Sequence, residues 1–256
     1  MPPRFSGETA MTLPAKSYSS ANFYRFAAVC AACYVVAQII QEFTFHHGIS
    51  DSPVGEQAIL QRLMPLDQFR LTLLLLSFFP ITVAFAAVAL RQVRLRPAAS
   101  VLGFLFSFLF VIGEIVNRSI DLFVISKQWA MQYQGTTSVA ARQLITERIQ
   151  VWTESFTGYY FIIRIGLLIG CLCFAIATWD RRRGWNQFIA IVFVANAVRS
   201  AGRLAEGFMG QAWLAPVNDA IYFPATVLIY GSLAVWLWKQ AQDMQQEQLE
   251  ATASLK

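Results

Sequence analysis

Residues 71–96 read LTLLLLSFFPITVAFAAVALRQVRLR, a run with the form of a membrane span that stops at a cluster of arginines. From Leu71 to Leu90 there is no charged residue, and then Arg91, Arg94 and Arg96 follow in quick succession. At a rise of 1.5 Å per residue, a helix of roughly 20 residues matches the ~30 Å hydrocarbon core of a bilayer. Arginines just beyond such a helix mark its cytoplasmic end.

Working outward, hydropathy marks five more spans, at 23–43, 98–125, 151–179, 188–208 and 219–238. The expectation is an all-α polytopic bundle of six spans. Composition agrees: 56% of residues are hydrophobic and 14% charged, against about 25% charged in an average soluble domain. The mean hydropathy is +0.48. A soluble chain of this length could not hide so much apolar surface. The third and fourth spans exceed what a bilayer needs, so they are expected to tilt or project. Two outer loops carry helix-like segments, 57–63 and 142–149.

Six crossings place both termini on one side. Arg25, Arg91, Arg94, Arg96, Arg181, Arg182, Arg183 and Lys239 fall on that side. The positive-inside rule makes it the cytoplasm, so the chain is expected in the plasma (inner) membrane with N- and C-termini cytoplasmic. Trp185, Trp236 and Trp238 sit where an interfacial aromatic belt belongs. The domain plan is a polar, disordered tail at 1–22, a transmembrane domain at 23–239 and a polar tail at 240–256, which can extend the sixth span by a few turns. The first 22 residues are too long and too weakly basic for a signal-peptide n-region.

The formal net charge is +5. The arginines lie in short runs between apolar segments, with no basic stripe interleaved with aromatics, so nucleic acid is excluded as a partner. Cys30, Cys33, Cys171 and Cys173 all lie in apolar stretches and read as packing residues. The pair Cys30 and Cys33 lacks a second pair at zinc spacing. His46 and His47 are adjacent, so they point to different faces, and a haem would need His at depth. No metal and no cofactor are expected.

Function has to be sought among charges at membrane depth, each of which costs roughly 2.5–3.5 kcal/mol on insertion scales and so needs a partner or water. Glu114, Arg118 and Asp121 are spaced i, i+4, i+7 on one helix face; Arg199, Arg203 and Glu206 repeat that spacing in the fifth span. The fourth span carries Glu154 and Arg164, with Tyr160 one turn from Arg164. Asp219, Thr226 and Tyr230 form a stripe in the sixth, and Tyr34, Gln38 and Glu42 one in the first. Asp67, Glu154 and Asp219 open the even spans near their outer ends. Together these suggest three helical hairpins of common descent. Span number, loop lengths and acid-bearing helices resemble uncharacterised bacterial six-span membrane proteins of a family with no assigned function. The resemblance implies no activity.

Alternating crossings bring the charges into one layer in the outer half of the bundle. Glu114, Arg118, Asp121, Glu154, Arg164, Arg199, Arg203, Glu206 and Asp219 are therefore the candidate ligand-binding residues. They suit a cavity that binds or transports a small charged solute, since Arg matches the geometry of carboxylate and phosphate. Pro80 and Pro224 could break their helices near such a site. The alternative is a non-catalytic scaffold or accessory subunit in which the same charges lock the bundle. In that case Gly166 and Gly170, a G-x-x-x-G, offer a face for a homo-oligomer or a membrane complex, or for packing inside the bundle. An intramembrane enzyme is the third possibility. Against it, the chain has no Ser/His/Asp set, H-E-x-x-H, G-x-S-x-G or Gly-rich phosphate loop, and no catalytic residue is assigned.

Overall fold

The computed structural model describes residues 20–48, 55–180 and 184–254. Arg181, Arg182 and Arg183, the side chains of His46 and His47, and nearly all of the 1–22 tail lie outside them. The described residues are helical, with no strand among them. In order they form α1 (Ala21–Gly48), α2 (Glu56–Gln61), α3 (Pro65–Gln92), α4 (Pro97–Ser119), α5 (Met131–Gly135), α6 (Val139–Thr178), α7 (Gly184–Phe208) and α8 (Ala215–Ala253). Ile120–Ala130 joins α4 to α5 as a π-helix, so Pro97–Gly135 is one helical rod. That rod and α1, α3, α6, α7 and α8 are the six spans.

Local chemistry sets the helix starts. Pro65 and Pro97 open α3 and α4, where the missing N–H has no intrahelical partner to lose. Ser138 caps α6 by accepting from the Ala141 amide at 3.4 Å. Gly210, at φ +69°, turns the chain between α7 and α8 and brings the Gln211 amide back to the Ala205 carbonyl.

Each span packs on its neighbours in chain order, and α8 packs on α1, so the six close into a ring. One face of the ring holds the start of α1 and the end of α8, and is called the terminus face below. The opposite, or cap, face is covered by α2, α5 and the first turns of α6. There Ile59, Ala130, Tyr133 and Ile145 make a small apolar core, and Arg142 pairs with Glu56 at 3.3 Å.

Toward the terminus face the ring is filled. Phe85 stacks on Phe174 at 6.0 Å between ring centres, and Phe174 meets Phe193 at 5.2 Å. Leu233 and Trp236 close the layer. α4 and α6 approach each other closely along a seam of glycines. A Cβ on Gly170 would stand 2.5 Å from Ser107 Oγ and 2.8 Å from Ser107 N, and one on Gly166 3.1 Å from the Phe106 carbonyl. The G-x-x-x-G therefore packs inside the bundle.

Polarity is inverted relative to a soluble protein. Phe26, Leu76, Phe79, Ile176, Val198 and Leu228 point outward, while Asp67, Glu114, Arg164, Asn196 and Thr226 are buried. Soluble monomers rarely expose contiguous apolar surface on that scale. The chain is a multi-pass membrane protein.

Two details differ from the sequence-based expectation. Pro80 and Pro224 lie inside α3 and α8 without ending either helix. Each proline removes a single helix hydrogen bond, and neighbouring spans hold the rod in place. The fourth span starts at Val139 rather than near 151, because the segment 142–149 is the first part of α6. The polar stretch after 240 does extend the sixth span, continuing α8 to Ala253 with Gln240, Ala241 and Met244 buried.

Candidate functional site

α4 runs from the terminus face toward the cap and sets Glu114 and Arg118 one turn apart on its inner face. Asp121 follows in the π-helix, whose wider winding lets Ser126 Oγ donate to the Asp121 carbonyl at 2.8 Å. The Arg118 guanidinium bridges both acids, donating to Glu114 Oε2 at 3.4 Å and Asp121 Oδ2 at 3.5 Å.

Below Arg118 lies an enclosed chamber of about 40 Å³ to which all six spans contribute. Tyr34, Gln38 and Gln41 come from α1, Phe78 from α3 and Glu114 from α4. Arg164 enters from α6, Arg199 from α7, and Tyr222, Thr226 and Tyr230 from α8. Above Arg118, toward the cap, a vestibule of about 600 Å³ opens on one side, walled by Arg62, Arg70, Asp121, Trp152 and Tyr160. Arg118 belongs to both walls. A recess of about 180 Å³ between α6 and α7 holds Arg203 and Glu206, and Tyr160 separates it from the vestibule.

The guanidiniums differ in how their charge is met. Arg70 is buried against the fully buried Asp67 at 2.8 Å, which Arg62 also approaches at 3.5 Å. Arg203 pairs with Glu206 at 3.2 Å and Asp219 at 2.8 Å, and Asn218 Nδ2 donates to Glu206 at 2.6 Å. Arg199 has neutral hydrogen-bond acceptors only: Asn196 Oδ1 at 3.2 Å, Thr226 Oγ1 at 2.7 Å and the Tyr222 carbonyl at 3.5 Å. Arg164 is 8% exposed. Its guanidinium lies 4.4 Å from the Tyr160 ring centre and makes no hydrogen bond or ion pair among the described residues.

No family model, curated protein sequence or solved structure matches the chain.

Of the nine candidate residues, Glu114, Arg118, Arg164 and Arg199 meet in the chamber. Asp121 joins Arg118 in the vestibule wall. Arg203 and Glu206 line the side recess, with exposed Asp219 tied to Arg203. Glu154 is exposed outside these cavities and accepts from Gln150 at 2.9 Å. Sequence reasoning did not place Arg62 and Arg70 here. Their signal was available: Arg70 lies one turn after Asp67, and Arg62 sits in the short segment 57–63. Among the described residues no group of three His, Cys, Asp or Glu side chains is placed to hold a metal.

The chamber lining carries three guanidiniums, of Arg118, Arg164 and Arg199, against the single carboxylate of Glu114. An excess of buried positive charge at membrane depth is costly unless water or an anion meets it. The chemistry open to such a site is recognition of negative charge by charge-assisted hydrogen bonds.

Proposed function

We propose that this chain binds a small charged solute in a cavity entered from the cap face. The observation that carries this is the position of Arg118, which forms a shared wall between an open vestibule and an enclosed chamber rich in guanidinium groups. A solute arriving in the vestibule meets Arg62, Arg70 and Arg118 first, with Asp121 beside them. That order suits an anion, or a zwitterion whose ammonium group faces Asp121.

Basic residues support the direction of entry. Arg91, Arg94 and Arg96 join α3 to α4 on the terminus face, which under the positive-inside rule supports a cytoplasmic terminus face and a vestibule on the opposite side of the membrane. Below the chamber, Phe85, Phe174, Phe193 and Trp236 fill the ring. Binding needs no change in that layer, whereas movement of the solute through the protein needs it to open.

A scaffold role is favoured by one specific observation: Arg203, Glu206, Asp219 and Asn218 form a closed network joining α7 to α8. It accounts for that corner of the bundle and leaves Arg164 and Arg199 without carboxylate partners.

Thermal unfolding of the detergent-solubilised protein separates the two, because a ligand that binds only the folded state raises apparent stability by mass action. A panel of small anions, amino acids and cations should raise the midpoint with anions or zwitterions and leave it unmoved with cations. No response to any class would favour the scaffold.

A further inference from the structure

We infer that the inner chamber holds one small inorganic anion of halide size, bound by Arg164 and Arg199. This rests on the proposed solute cavity and names what its deepest compartment takes.

Charge gives the sign of the ligand. Glu114 is engaged by Arg118 at 3.4 Å. The two remaining guanidiniums of the chamber have no carboxylate: Arg199 donates to neutral oxygens, and Arg164 donates to nothing among the described residues. Arg164 is more than nine-tenths buried, lines the chamber and comes from the helix beside that of Arg199. A water molecule could satisfy hydrogen bonds here but would leave the charge unmet. A single anion satisfies both.

Volume gives the size. The chamber, at about 40 Å³, exceeds the roughly 10–15 Å³ of cavity that one water needs and is a small fraction of the 600 Å³ vestibule. It has room for a monatomic anion, while phosphate esters and carboxylate metabolites fit the vestibule instead. The two compartments thus sort anions by size across Arg118.

Access is consistent with this order. The Arg118 contacts to Glu114 and Asp121, at 3.4 and 3.5 Å, are at the long limit of hydrogen bonding. Both partners lie on its own helix, so rotation of one side chain joins vestibule to chamber without moving a helix.

The test is thermal unfolding of the purified full chain in potassium gluconate, chloride, bromide or sulfate at constant ionic strength, for the wild type and Arg164→Gln. Chloride and bromide should raise the wild-type midpoint by about 3 °C or more above its value in gluconate, which is too large for the chamber, at large excess over Kd. Arg164→Gln should fold, melt in gluconate at the wild-type temperature or above, and bind halide at least tenfold more weakly. If larger anions stabilise and halides match gluconate, the vestibule binds solute and the chamber assignment is overturned. If no anion acts, the cavity itself is not a binding site. If Arg164→Gln keeps the full halide response, the halide sits elsewhere. Wild-type comparison of chloride with gluconate decides the matter even where a variant folds poorly, and Arg199→Gln repeats the test from the other side of the chamber.

Discussion

α4 and α7 carry charge triads of the same spacing, and the ring gives them different fates. In α4 the central Arg118 reaches Glu114 and Asp121 on its own helix, and the group faces the cavities. In α7 the central Arg203 takes Glu206 from its own helix and Asp219 from α8 and faces a side recess, while Arg199 alone turns into the chamber. Spacing puts three charges on one helix face; the neighbouring helices decide what that face meets. α4 is pressed against α6 along a seam of glycines, which holds its inner face toward the ring centre. α7 makes its smaller contact with α8, where Asn218 and Asp219 are within reach of its last turns.

The contrast can be broken one residue at a time. Arg118→Ala should have the largest effect. It strands Glu114 and Asp121, both mostly buried, and removal of one member of a buried ion-pair group destabilises by about 3 kcal/mol. A fall in unfolding midpoint of roughly 6–12 °C would follow. Gly170→Val comes next. Its side chain would collide with Ser107, including backbone, and force α4 off α6. Overpacking of this kind costs about 1–3 kcal/mol, and it should also shift Arg164 on α6 relative to the chamber, so that any anion response falls with stability. Arg203→Ala should cost about 1 kcal/mol or less, because the Asp219 carboxylate is 69% exposed and water screens the pair. A double-mutant cycle with Asp219→Asn would measure that coupling. Arg164→Gln should have the smallest effect on the fold in the absence of anion, or a stabilising one, since it removes a buried charge that no acid meets.

Much of this was legible in the sequence, for physical reasons. A bilayer demands long apolar helices, so the six spans stand out in hydropathy, and the self-pairing of Arg118 with Glu114 and Asp121 follows from helical spacing alone. The fates of Glu154 and Asp219 did not follow from it. Both open even spans near the outer end, yet α6 begins at Val139, three turns before the point hydropathy suggests, and Glu154 lies on an outward face of that longer rod. The chamber depends on rotations of six helices about their axes, and a one-dimensional pattern does not set those. Nor did the sequence foretell the π-helix at Ile120–Ala130, because apolar residues satisfy α and π winding alike.

The central claim is that the charged layer is reached by water and small anions from the face opposite the termini. Asn117, buried at 4% and lining the vestibule beside Arg118, is the position to probe. In a background with Cys30, Cys33, Cys171 and Cys173 replaced by Ala, Asn117→Cys should react with a membrane-impermeant thiosulfonate added to the cap face. It should react faster with an anionic reagent than with a cationic one. No reaction from that face, or a preference for the cationic reagent, would contradict the account.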